Sequence, residues 1–272
     1  MAPRLANTRR REPRRRSLLF GLAGLLVLAC EKEQKRAERT SRDLVVFAAA
    51  SLRDGFHALS TDFKRKHPGV QVTFNLAGTQ ELRTQIEHGA DADVFAAADQ
   101  VHIQALAKAG LVREPAVFAT NEPVVVLSKD AGEITFKDLP TLERIVVGVP
   151  EVPIGRYTLQ ILDRANSSLG RDFRARFESK VVSRELNVKQ VLAKVGLGEA
   201  QAGIVYRTDA IAHGGVRVVT IPAEFNVIAE YPIALATHAE NEGDARTWIG
   251  FVVSPEGETI LRRFGFGPGQ SR

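Results

Sequence analysis

The chain contains one cysteine, Cys30, among 272 residues. No disulfide can form within it, so an oxidising compartment would leave no covalent mark. The body beyond that position has no thiol nucleophile. It also has no G-x-S-x-G elbow, no H-E-x-x-H pair and no P-loop, which removes the common hydrolase, zincin and nucleotidase signatures. The six histidines, His57, His67, His88, His102, His213 and His238, scatter over predicted helix faces and loops and read as solvated, not as an acid–base or metal set. There is no internal repeat and no helix-turn-helix pattern, which argues against the sensing domain of a transcription regulator. An excess of one charge is lacking too, once the N-terminus is set aside. The formal charge is +5, but Arg4, Arg9, Arg10, Arg11, Arg14, Arg15 and Arg16 face only Glu12 within residues 1–29. The remainder holds 30 basic and 31 acidic residues and has no field to recruit nucleic acid.

What is present begins with that basic leader. It runs into an apolar stretch, 18–29, that ends at Cys30. Roughly 20 apolar residues are needed to span a bilayer, so this stretch is too short and reads as the core of an export signal over 1–29. Val27-Leu28-Ala29-Cys30 resembles a bacterial lipobox, which implies cleavage before Cys30 and lipidation of its thiol. Arg15-Arg16 ahead of the apolar stretch resembles a twin-arginine signal, leaving Sec and twin-arginine export both open. Residues 30–42 are charged and aperiodic and form the expected tether.

From residue 43 onward, short β-rich runs alternate with amphipathic stretches, the pattern of an α/β fold. Strands are expected at 44–48, 70–74, 94–97, 124–127, 145–149, 202–205, 216–221 and 233–236. Helices are expected at 52–66, 80–88, 102–109, 157–169 and 188–197, and two more close the chain. A new unit starts near Pro123. Four strand-to-helix junctions, 48–52, 77–80, 153–157 and 186–189, carry small, glycine or hydroxyl residues where a helix begins. Helix N-termini offer unpaired N–H groups and partial positive charge, so such junctions can hold an anion without a cationic side chain. Each alone is also an ordinary cap.

The order of the segments is more specific. FAAASL, GTQEL, QIEHGADADVFAAAD, GVPEVPIGRY, NVKQVL and GIVYRTDA follow one another as in the molybdate-binding proteins of ABC transporters, and the resemblance runs from about residue 44 to 266. It implies an α/β, two-lobed type II periplasmic-binding-protein fold. Each lobe would be a mixed, mainly parallel sheet flanked by helices, with the ligand cleft between them. Lobe one would span 43–121 plus 230–272, and lobe two 122–229. It also implies an oxyanion shell: the hydroxyl and amide of Ser51, the hydroxyl of Thr79 in place of a serine, the main-chain amides of Ile154 and Val188, and the phenol of Tyr206. Two positions depart from the family pattern. Val149 stands where aspartate is common, and Ile154 replaces a small alanine.

A neutral, donor-only shell suits a doubly charged oxyanion that carries no proton. The expectation is therefore a lipid-anchored, extracytoplasmic, monomeric receptor, not an enzyme. It would need no cofactor and no bare cation site, would capture molybdate and tungstate, and would serve an ABC permease and ATPase. A receptor for thiosulfate, sulfate or phosphate, and an enzyme acting on an oxyanion ester, are the alternatives. Phosphate calls for a carboxylate acceptor, and Asp99 and Asp209 lie beside the motifs without being among the matched donors.

Overall fold

Hydrophobic alternation and amphipathic periodicity translate into strands and helices near the expected positions, and further elements stand between them. The computed structural model describes residues 42–269; the expected export signal, Cys30 and nearly all of the expected tether lie outside them. In chain order the elements are β1 (Arg42–Ala49), α1 (Arg53–Lys66), β2 (Val70–Ala77), α2 (Thr79–Glu87), β3 (Val94–Ala96), α3 (Gln100–Lys108) and β4 (Val112–Asn121). There follow β5 (Pro123–Leu127), β6 (Ile145–Gly148), α4 (Pro153–Ser168), α5 (Phe173–Glu178), β7 (Val181–Glu185), α6 (Val188–Gly196), β8 (Ala202–Tyr206), α7 (Arg207–His213) and β9 (Arg217–Val219). The chain ends with β10 (Ala229–Ala236), α8 (Glu242–Val252), α9 (Pro255–Arg262) and β11 (Gly267–Pro268).

The strands build two sheets, a six-stranded one of order β11-β4-β10-β3-β1-β2 and a five-stranded one of order β7-β6-β8-β5-β9. The chain leaves the first sheet at Asn121, enters the second at Pro123 and is back in the first at Ala229, which pairs with Asn121. Both crossings therefore lie side by side. Of the pairings described, β1–β3, β6–β7 and β6–β8 are parallel, while β10–β3, β10–β4, β11–β4, β5–β8 and β5–β9 are antiparallel. The sheets are mixed, as expected, and each antiparallel pair among those described involves β4, β5 or β10, the strands that flank the crossings.

Helix α1 shows how the sequence fixes the packing. Phe56, Leu59 and Phe63 fall on one face at helical spacing and are fully buried. Phe56 and Phe63 meet Trp248 of α8 edge-on, at 5.8 and 5.2 Å between ring centroids. Such contacts add about 0.5–1.5 kcal/mol each beyond simple burial. This aromatic core holds α1 against its sheet and so fixes the chain just before it, where the first of the four junctions lies.

Candidate anion-binding site

All four junctions converge on one small cavity. Its wall includes Ala49, Ala50 and Ser51 from the end of β1, Gly78 and Thr79 from the start of α2, Pro153 and Ile154 from the start of α4, Asn187 and Val188 from the start of α6, and Tyr206 at the end of β8. Every residue expected to contact an oxyanion is therefore on the wall: Ser51, Thr79, Ile154, Val188 and Tyr206. The volume is about 20 Å³, whereas pockets for drug-sized ligands run to about 300–1,000 Å³. In this conformation the cavity suits a small ion and not a sugar or a peptide.

Local chemistry explains why helix starts face it. Thr79 and Val188 are first helical residues and Ile154 is a second one, so their amides have no partner within the helix. The Asn187 side chain accepts from Gln190 N–H at 3.1 Å, and Glu81 Oε2 accepts from Gly78 N–H at 3.1 Å. These caps occupy the amides of Gln190 and Gly78, not those of Val188 and Thr79. Pro153 opens α4, where a missing N–H costs nothing. Two glycines permit the approach. A Cβ at Gly155 would lie 2.0 Å from the carbonyl oxygen of Val149, and one at Gly78 would lie 2.4 Å from that of Leu186. Val149 thus acts through its main chain behind α4, and the Ile154 side chain, fully buried, belongs both to the wall and to the core.

The hydroxyls are buried and differ in their partners. Thr79 Oγ1 accepts from Ala98 N–H at 3.3 Å, and Ser51 Oγ lies 3.0 Å from the Tyr231 hydroxyl. Tyr206 is 1% exposed, and its hydroxyl has no hydrogen-bond partner. A buried hydroxyl without a partner is costly, and this one lies on the cavity wall. Burial, then the neighbouring Tyr231, push the Tyr206 phenol well above its ordinary pKa; it keeps its proton and can donate.

Charged groups stand beside the seat but are already paired. Arg156 of α4 bonds the buried Asp99 that caps α3, and Lys189 of α6 lies 2.9 Å from Asp54 of α1 and 3.1 Å from Asp209 of α7. Burial raises the Asp99 carboxyl, but hydrogen bonds and charge from His102, with Arg156 beside it, outweigh this and hold it below the usual range. His102 is itself buried, with Nδ1 2.9 Å from Asp99 Oδ1. The expectation that all six histidines are solvated fails here, because His102 is the partner that lets Asp99 be buried. The other five are exposed or half-buried. Asp209 is fully buried, and burial, opposed by Lys189, pushes it up to about 6. Lys189 Nζ, 3.1 Å from Asp209 Oδ1, offsets part of that burial by charge and hydrogen bonding. Among the described residues no cluster of three His, Cys, Asp or Glu side chains could hold a bare cation.

Motif reading missed the residues behind the shell. The chain has three tyrosines and all three gather here: Tyr206 meets Tyr231 at 5.7 Å and Tyr157 at 6.4 Å between centroids. Asn121, at the first crossing, donates to Thr208 at 2.9 Å and to the Tyr231 hydroxyl at 3.4 Å. The scarcity of tyrosine was the available signal.

The profile of the family described as bacterial extracellular solute-binding protein matches residues 44–267. The molybdate-binding protein ModA of Mycobacterium tuberculosis is 39% identical over 83% of this chain and 85% of its own length. That of Escherichia coli is 32% identical over 82% and 88%. The solved substrate-binding domain of a putative molybdenum ABC transporter from Clostridium difficile superposes with a TM-score of 0.65 at 28% identity, over 84% of this chain and 99% of its own. With a match that spans nearly all of the described residues and relatives this similar along most of their length, the chain belongs to the bacterial extracellular solute-binding protein family.

Proposed function

We propose that this chain is the extracytoplasmic receptor of an ABC importer for molybdate and tungstate, and that it binds its cargo without transforming it. The observation that carries the proposal is the convergence of Ser51, Thr79, Ile154, Val188 and Tyr206 on one cavity, with the Tyr206 hydroxyl unpartnered. The relatives that carry a molybdate-binding name support the choice of anion. So does the charge pattern: the cations at the seat are engaged by Asp99, Asp54 and Asp209, leaving neutral donors for the ligand.

Hydrogen bonds to a charged group contribute about 1.5–3 kcal/mol each. Several converging donors reach micromolar affinity or tighter after the costs of association. The two sheets would be the cores of two lobes, 43–121 plus 230–272 and 122–229, with the paired crossings as hinge. Donors from both sides are satisfied together only in the closed state, so the anion would favour closure, and the permease and ATPase complex would read that closure. Cys30 would carry the lipid that keeps the monomer at the membrane. Calorimetry of the body with molybdate, tungstate, sulfate and phosphate in turn tests the reading. Molybdate and tungstate should bind at micromolar concentration or below and sulfate far more weakly; tighter binding of phosphate would overturn it.

A further inference from the structure

We infer that Tyr231 and Asn121 are positioning residues that fix the direction of the Ser51 hydroxyl, so that it presents its proton to the cavity and sets the seat against protonated oxyanions. The inference rests on the receptor reading above and deepens it.

The direction follows from one atom that has no choice. Glu122 N–H, a main-chain amide, can only donate, and it lies 3.0 Å from Asn121 Oδ1. That contact places the amide oxygen of Asn121 on the Glu122 side and turns its NH₂ group toward Thr208 Oγ1, at 2.9 Å, and the Tyr231 hydroxyl, at 3.4 Å. An NH₂ group has two protons and accepts nothing, so it serves both. The Tyr231 hydroxyl, receiving from Asn121, has one proton of its own, and its other hydrogen-bonding neighbour is Ser51 Oγ at 3.0 Å. The proton therefore runs from Tyr231 to Ser51. Ser51 Oγ accepts from behind and turns its own proton to the cavity it lines.

Thr79 is oriented in the same way by a second main-chain amide, since its oxygen accepts from Ala98 N–H. A fully deprotonated dianion finds two pre-aimed hydroxyl protons. A dianion that still carries a proton, such as hydrogen phosphate, needs an acceptor and meets, at both hydroxyls, a proton in place of a lone pair. The relay is buried throughout: Asn121 is 5% exposed, Ser51 4%, Thr208 4% and Tyr231 fully buried, so water does not scramble it.

The test compares molybdate with hydrogen phosphate in a mildly alkaline buffer, where both are tetrahedral dianions and differ in the proton. The readout is the ratio of their dissociation constants, measured for the wild-type protein, Tyr231→Phe, Asn121→Asp and, as control, Ser60→Ala, whose hydroxyl bonds its own helix at His57 O. Tyr231→Phe frees Ser51 to accept. Asn121→Asp replaces the donor by an acceptor and reverses the relay, and its added charge opposes both dianions alike and cancels in the ratio. Both variants should narrow the molybdate preference by about tenfold or more, the value of one hydrogen bond to a charged group, with Ser60→Ala unchanged. Molybdate binding that persists in either folded variant with an unaltered ratio overturns the inference. A wild-type protein that binds no tetrahedral anion overturns the receptor reading and this one with it. A general weakening of both anions in equal proportion marks a structural role for Tyr231 and also overturns the inference.

Discussion

At the scale of single residues, the proposed seat has two kinds of donor that should respond differently to substitution. Ser51 and Tyr206 would give hydroxyl protons from buried side chains, whereas Ile154 and Val188 would give main-chain amides that any residue but proline retains. Ser51→Ala and Tyr206→Phe should each weaken molybdate binding about ten- to a hundredfold, the equivalent of roughly 1.5–3 kcal/mol for a bond to a charged group. Val188→Ala should change it by much less. Titration calorimetry of the three variants checks this; equal losses in all three would contradict a division between side-chain and main-chain donors. These five residues could be found in the sequence because each sits inside a recognisable segment. Tyr231 and Asn121 could not, because the contact of Tyr231 with Ser51 spans 180 positions and that with Asn121 spans 110. No local pattern encodes a meeting at that distance.

At the scale of elements, what was legible followed the strength of the periodic signal. Helices α1, α2, α3, α4 and α6 and the strands feeding the seat lie close to where spacing places them. Strand β4 was missed, though it runs ten residues from Val112 to Asn121. Its burial does not alternate, Pro115 interrupts the run, and Glu114 adopts φ 55°, which a strand pattern does not anticipate. Helix α7 was hidden because it begins at Arg207 directly after β8, with Tyr206 as the joint. Where an element starts also matters for binding. The first turn of α4 is pressed against the end of β6 at Gly155, so Gly155→Ala, with its Cβ 2.0 Å from a carbonyl oxygen, must push the helix start outward. The Ile154 amide moves with it. Binding of molybdate should fall by at least tenfold, as for a lost donor, and the melting temperature should drop as well. A crystal structure of the variant with α4 unmoved would defeat the argument.

At the scale of the whole molecule, segments from the two sheets are tied across the seat by Arg156 with Asp99, Lys189 with Asp54, and Gln80 Nε2 with Leu186 O at 2.8 Å. Lys189 also meets Asp209, which is fully buried. Its folded value of about 6 stands above the ordinary 3.8, so the folded state takes up a proton more readily than the unfolded one. The stabilisation is fully present below about pH 4 and is lost as pH rises through about 6, the window between the two values. Asp209→Asn should remove this component, so that the stability difference between wild type and variant changes between those limits and is flat at neutral pH. Chemical denaturation along a pH series measures it; a constant difference would show that Asp209 does not titrate in the window.

The main-chain donors proposed at Ile154 and Val188 also bear on how such a seat would change over generations. A point mutation at either codon, proline apart, alters a side chain and leaves the donor in place. Moving the donor requires adding or deleting residues in the turn, which shifts the whole helix that follows. A lineage of this protein can therefore drift in sequence around the anion while keeping its cargo, and a change of cargo should be recorded in the lengths of its loops before it is recorded in their letters.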